Sequence, residues 1–258
     1  MASTLLGAEP PELPVAHLVR MAGVFGINPN RARVALSRMV ASGEATTDGT
    51  GRYRLAGHLL ARQRRQATSR AGQTGPWTGG WHVVVLTGVG DTADVRSQRR
   101  RALTAARLAE LRLGVWTRPD NLALDPGLLN GALGEAPDET LGEAPDGALD
   151  GATCFVGRPV ADAGDLARRL WDVDGWADRA RGFVDEMAVT TPSGPEQLAP
   201  GFVLSAAVLR HLQADPLLPE PLLPAGWPGG ELRRAYDDFD ARYRAVLADW
   251  GRRVAEVE

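Results

Sequence analysis

The 258-residue chain contains one cysteine, no lysine and no long apolar run. A lone thiol, Cys154, cannot close an internal disulfide, and no Cys/His spacing of a zinc site accompanies it, so a reducing, cytoplasmic setting is expected. The longest apolar stretches, such as Val83 to Leu86 and Phe202 to Leu204, fall far short of the ~20 residues that span a bilayer, which excludes a membrane protein. The opening MASTLLGAEPPE lacks the basic flank and apolar block of an export signal. With lysine missing, all 29 cationic side chains are arginine, a bias that reflects GC-rich coding and carries no functional weight. What is present is ordinary for a folded protein. Hydrophobic residues make up 44% and charged residues 24%, enough apolar surface to offset chain entropy, and the length suits one large domain or two to three small ones.

The net charge of −3 conceals an asymmetry. Up to Arg118 there are 17 arginines against 7 acidic residues; beyond it there are 12 against 25. A basic N-terminal part and an acidic C-terminal part is the distribution expected when one end meets a polyanion such as nucleic acid.

Local signals divide the chain. Leu13 to Phe25 reads as a helix, with Val15, Leu18, Val19 and Ala22 at three- and four-residue spacing, and little chain precedes it for another. Gly26 stops that helix. Asn28 is then a good N-cap and Pro29 suits the first helical position, where its missing N–H costs nothing; the second helix runs to about Ser42 and Gly43 ends it. Glu44 to Thr47 and Arg52 to Leu55 read as strands joined by the turn-forming Asp48, Gly49, Thr50 and Gly51. Helix, tight turn, helix, hairpin is the order of a winged helix-turn-helix. An arginine-rich helix, His58 to about Arg70, leads into a linker, GQTGP.

Trp81 to Thr87 has the β-branched run of a buried strand, and a helix is expected from Asp94 to about Leu111. Strands at Val115 to Arg118 and Thr153 to Gly157, a helical turn or helix at Pro126 to Leu133, and a brief pairing segment near Leu111 to Leu113 complete a βαββαβ, ferredoxin-like order. The repeated hexapeptide LGEAPD, at Leu133 to Asp138 and Leu141 to Asp146, reads as a solvated duplication without a site. From Ala161 the chain is largely helical, at Asp162 to Trp171, Gly175 to Met187, Phe202 to Gln213 and Gly230 to about Val257, interrupted by the proline-rich Asp215 to Gly230.

On the second helix, 100° per residue places Ala32, Ala35, Leu36 and Met39 on one stripe, the core side. Asn30, Arg33, Val34, Ser37 and Ala41 lie opposite, with Arg31 and Arg38 at the margin. Small and polar residues interleaved with arginine suit entry into a major groove about 12 Å wide, where arginine bridges guanine O6 and N7. Arg52, Tyr53 and Arg54, beside the Gly-rich tip, would let the wing reach the backbone or minor groove.

Other constellations are weaker. Gly88-Val89-Gly90-Asp91-Thr92-Ala93 satisfies GxGxxA after a strand, but the acidic residue about 20 positions on that would hold a ribose is replaced by VWTRP with Arg118. Asp91 and Asp94 are thin candidates for a metal, and His17, His58, His82 and His211 fall in four separate elements. Arg96, Arg99, Arg100 and Arg101 form a cationic patch that suits DNA backbone, an acidic ligand or salt bridges within the chain.

The stretch from Gly23 to Arg65 resembles the N-terminal winged helix of PaaX-type transcriptional regulators through Gly26, Asn28, Arg33, Ser37 and Arg38, followed by Gly51, Arg52, Tyr53 and Leu55. WTGGWHVVVL with LRLGVWTRPDNL resembles the family's central domain, related to the CRISPR-associated Cas2 fold, and LWDVDGWADR with DPLLPEPLLPAGWPGG its C-terminal domain. The resemblance implies a repressor of catabolic operons, typically of phenylacetate degradation, released from its operator by an aryl- or acyl-CoA thioester. Related Cas2 nucleases carry an Asp at the end of the first strand, where this chain reads Thr87-Gly88-Val89-Gly90 and Asp91 is displaced.

The expectation is therefore an α+β protein in three parts: a winged helix-turn-helix (1–72), a ferredoxin-like, Cas2-like domain (76–160, with the acidic insertion at 130–150) and a helical C-terminal domain (161–258). It is expected to be a non-enzymatic regulator without a cofactor, a homodimer on double-stranded operator DNA, with Asn30, Arg33 and Ser37 reading bases and Arg31, Arg38, Arg52 and Arg54 on phosphates. The alternatives are a metal-dependent nuclease or nucleotide-cofactor enzyme built on the central domain, and a module docking its basic half on an acidic protein. Trp116, Trp171, Trp176 and Trp227 with Arg99 or Arg118 are the residues suited to an effector pocket, without singling one out.

Overall fold

A computed structural model describes residues 2–8, 10–86, 92–124, 152–190 and 192–255. In chain order its elements are α1 (Ala2–Leu6), β1 (Glu12–Pro14), α2 (Val15–Val24), α3 (Pro29–Ala41), β2 (Ala45–Thr47), β3 (Arg52–Leu55), α4 (Gly57–Ala71), β4 (Trp81–Leu86) and α5 (Ala93–Ala105). There follow β5 (Ala109–Arg112), β6 (Val115–Pro119), β7 (Ala152–Gly157), α6 (Ala163–Leu170), α7 (Val173–Val189), α8 (Leu198–Gln213) and α9 (Gly229–Ala255). The class is α+β, and the residues form two units: Met1–Gly72 with Ala177–Asp215 and Pro228–Glu258, and Gln73–Trp176 with Pro216–Trp227.

In the first unit, the helix expected from Leu13 begins at Val15, and Glu12 to Pro14 form a strand instead. Proline drives the residue before it into extended backbone, and Pro11 and Pro14 do so to Pro10 and Leu13. The strand pairs antiparallel with β3, Leu13 opposite Tyr53, giving a sheet of order β1-β3-β2. The short stretch before Leu13 also carries α1, whose Leu5 and Leu6 join Leu18, Leu36, Leu55 and Leu59 in one core. Between α2 and α3 the chain reverses at Gly26, whose φ of +67° an L side chain rarely adopts.

α8 starts at Leu198, four residues before the expected Phe202, because Pro200 sits in its first turn, where backbone N–H groups have no helical partner anyway. Gly201 lets α9 come close: a Cβ there would lie 3.1 Å from the Tyr243 ring. Phe202 meets Phe25 edge-on at 5.0 Å. Polar contacts join the same pieces. Arg70 of α4 donates to Asp237 and Asp240 at 2.7 and 2.9 Å, and Arg233 of α9 donates to the Ser69 carbonyl and to the buried Asp215 carboxylate.

The second unit holds an antiparallel sheet of order β5-β6-β4-β7. The expected helix to Leu111 ends at Ala105, and Ala109–Arg112 is a strand, which supplies the pairing segment expected slightly later, near Leu111 to Leu113. The stop is a Schellman motif without glycine. Arg107 adopts φ +62°, its N–H donates to the Thr104 carbonyl, and the Leu108 N–H donates to the Leu103 carbonyl, with Leu103 and Leu108 both buried. Val84, Trp116 and Ala152 pack with these two leucines. Trp81, Leu166, Val173, Leu218 and Leu222 form a second core, so the proline-rich segment supplies buried leucines as well as turns. The expected Pro126 to Leu133 helix and the LGEAPD insertion lie outside the described residues, and no helix among those described is long and apolar enough to cross a membrane.

Candidate nucleic-acid interface

The site is built on α3. Asn28 accepts the Arg31 backbone N–H at 2.9 Å through its side chain and Pro29 follows, so both expected start signals operate as read. Ala32, Leu36 and Met39 are buried; Ala35, expected in the same stripe, is half-buried at its edge. Turned away from the core are Asn30, Arg31, Arg33, Ser37 and Arg38, all exposed, with Val34 45% exposed among them. Asn30, Arg31, Val34, Ala35 and Arg38 line a shallow open depression. Among the described residues none of the three guanidinium groups has a carboxylate partner, so their donors face outward unneutralised. The Ser37 hydroxyl donates to the Arg33 carbonyl at 3.1 Å, which leaves its oxygen as an acceptor toward the outside.

β2 and β3 form the hairpin beside it. Asp48 accepts from the backbone N–H groups of Thr50 and Arg52 and from the Thr50 hydroxyl, at 2.8, 3.1 and 2.6 Å. The Thr50 hydrogen bond is the main reason that the Asp48 carboxyl titrates below its ordinary range. Strand alternation puts Arg52 and Arg54 on one face and Tyr53 on the other, half-buried against the core. Both arginines meet a carboxylate that sequence reasoning missed: Glu12 of β1 accepts from Arg52 Nε at 2.5 Å and from Arg54 Nε and Nη2 at 2.9 and 2.5 Å. Hydrogen bonds from Arg52, then Arg54, hold the Glu12 carboxyl below its ordinary value. The available signal was the acid in Pro11-Glu12-Leu13-Pro14, a segment that proline forces to be extended and therefore free to pair.

The other sequence candidates fall elsewhere. Trp116 is buried in the sheet core, Trp176 stacks on Trp227 at 4.5 Å, and Trp171 lies 6.2 Å from Trp81. Arg118 is buried, donating to the carbonyls of Pro119 and Ala106 and to Asn121 Oδ1; burial, with Arg107 nearby, pulls its guanidinium down to about 10. Arg100 pairs with Glu110 at 2.7 Å and lies over the Trp116 ring. Gly88 to Asp91 lie outside the described residues; Thr92 caps α5 through its hydroxyl and Asp94 is exposed in the first turn. β4 pairs antiparallel with both neighbours, whereas a dinucleotide fingerprint belongs to a parallel βαβ unit.

Residues 1–59 match the family model described as PaaX-like protein, and residues 171–253 match that of the PaaX-like protein C-terminal domain. A solved structure described as Uncharacterized protein Rv0674 from Mycobacterium tuberculosis is 37% identical, over 96% of this chain and 95% of that one, with a TM-score of 0.70. The chain belongs to the PaaX-like family. No curated protein matches it. The PaaX-like family is one of transcriptional regulators, and the matched N-terminal segment contains α3, the hairpin and Glu12.

Proposed function

We propose that this PaaX-like protein is a sequence-specific DNA-binding repressor of a catabolic operon, phenylacetate degradation being the family's characteristic setting, released from its operator by an aryl- or acyl-CoA thioester. The N-terminal elements are read as a winged helix-turn-helix, with α3 as recognition helix and β2–β3 as wing, and the four-stranded unit as ferredoxin-like. Asn30, Arg33 and Ser37 read base edges; Arg31, Arg38, Arg52 and Arg54 hold phosphates; Tyr53, expected to reach DNA with the wing arginines, is half-buried against the core and is reassigned to seating the wing on the body. A homodimer presents two such helices to a two-fold operator in the cytoplasm. The observation that carries this reading is the division of α3 into a buried apolar stripe and an outward face of cations that, among the described residues, have no carboxylate partners.

The test is binding to duplex DNA taken from upstream of the protein's own gene, against a scrambled duplex, across a salt series. Arg33→Ala is expected to lose ~1 to 3 kcal/mol on the specific duplex and to relax discrimination, whereas Arg54→Ala weakens both duplexes alike and flattens the salt slope by less than about one, because Glu12 already shares that guanidinium. Phenylacetyl-coenzyme A added to the complex is expected to release the DNA. Equal binding by parent and both variants refutes the site; no salt-dependent binding by the parent favours an acidic protein partner instead.

A further inference from the structure

α4 contains four arginines, one histidine and no carboxylate in 15 residues. Its inward side is accounted for. Leu59 lies in the core, Gln63 donates to the carbonyls of Leu6 and Ala8, and Arg70 pairs with Asp237 and Asp240. Arg62, Arg64 and Arg65 remain on the outside, exposed and, among the described residues, without a carboxylate partner. Arg62 and Arg65, three positions apart, are like charges that meet on the exposed side of the helix and repel each other, with Arg64 on the adjoining part of that side, and a solvated helix normally relieves such a pair with acids three or four residues away. α4 has none, so a polyanion laid along this side meets no carboxylate of the helix that would repel it.

The position is informative as well. The Glu44 N–H donates to the Met39 carbonyl, the Ala56 N–H donates to the Glu44 carbonyl, and a Cβ on Gly57 would lie 2.8 Å from the Gly43 carbonyl oxygen. The start of α4 therefore abuts the end of α3, itself a helix without a carboxylate whose three arginines have, among the described residues, no acidic partner. No large hydrophobic side chain is exposed on α4, so that face lacks the apolar anchors that concentrate energy in a protein–protein interface. Phosphates need only the charge.

We infer that Arg62, Arg64 and Arg65 form a second polyanion-binding surface, which grips the sugar-phosphate backbone of duplex DNA flanking the segment met by α3. This rests on the DNA-binding reading above and adds a sequence-independent contact to it. The three residues lie 5 to 8 positions past Gly57, about 8 to 12 Å along the helix from the point where it meets the end of α3.

The experiment measures binding of the full chain to two duplexes centred on one operator taken from upstream of its own gene, one trimmed to the minimal bound sequence and one longer by six base pairs at each end. The parent is expected to bind the longer duplex more tightly, with a salt slope steeper by about 2 to 3. Arg62→Gln/Arg64→Gln/Arg65→Gln is expected to abolish that increment and to leave the preference for operator over scrambled duplex unchanged; Arg64→Gln alone removes about one from the slope. A triple variant that melts like the parent and matches its affinity and salt slope on the longer duplex overturns the inference while leaving the role of α3 intact. A parent that binds neither duplex overturns both.

Discussion

α3 and α9 are arginine-bearing helices of the same unit, and they treat the residue in opposite ways. In α9, Arg244 pairs with Asp240 at 2.9 Å, Arg252 and Arg253 share Asp249, and Arg233 reaches the buried Asp215. In α3, Arg31, Arg33 and Arg38 have no acid on their own helix and, among the described residues, no carboxylate partner elsewhere. The first arrangement neutralises arginine within the fold, mostly by acids of the same helix; the second leaves it for something outside the fold. Carboxylates three or four positions away distinguish the two cases in the bare sequence, since such neighbours meet on one helix face.

The largest effect is expected where α3 is seated on the core. Leu36 is fully buried beneath the outward arginines, and Leu36→Ala is expected to cost about 2 to 5 kcal/mol, read by denaturant unfolding, with DNA binding lost in proportion to the unfolded fraction. A smaller effect is expected in α9. Asp240, 8% exposed, accepts from both Arg70 and Arg244, and Asp240→Asn is expected to cost about 1 to 3 kcal/mol of stability. At temperatures well below melting, that variant should bind DNA like the parent. Its failure to do so would mean that the α9 arginines serve more than the fold.

The smallest effect comes from Glu12, which treats two wing arginines in the manner of α9. Glu12→Gln is expected to raise DNA affinity a few-fold at low salt and to steepen its salt dependence, by freeing Arg52 and Arg54 for phosphate. The pH dependence has a definite sign. Because the folded carboxyl titrates below its ordinary 4.5, the ion pairs contribute stability above that pH and lose it as pH falls through the lower folded value. Melting temperatures of parent and variant, measured from pH 6 down to 3, should therefore converge at the acid end.

What the sequence disclosed was local. Asn28-Pro29, Gly26, Gly43 and the Asp48-Gly51 turn act through neighbours a few residues away, and each works as read. What stayed hidden depended on distant partners or on an unusual residue in a usual role. β1 pairs with a strand nearly 40 residues on, which periodicity near Leu13 does not register. α5 ends on an arginine where glycine is the ordinary stop signal. Arg118 was legible as a cation but not as a buried one, because its enclosure comes from the packed unit and not from its sequence neighbours.

The meeting of Ser69 and Arg70 with α9 sets a timetable for biosynthesis. Some 160 residues separate those contacts along the chain, and at about 5 to 20 residues per second the ribosome needs on the order of ten seconds to bridge them. For that interval the arginine-rich helix emerges without the acidic surface that later clasps its far end. Until the last helix arrives, Arg70 stands on α4 with Arg62, Arg64 and Arg65 and without the two carboxylates that later pair with it.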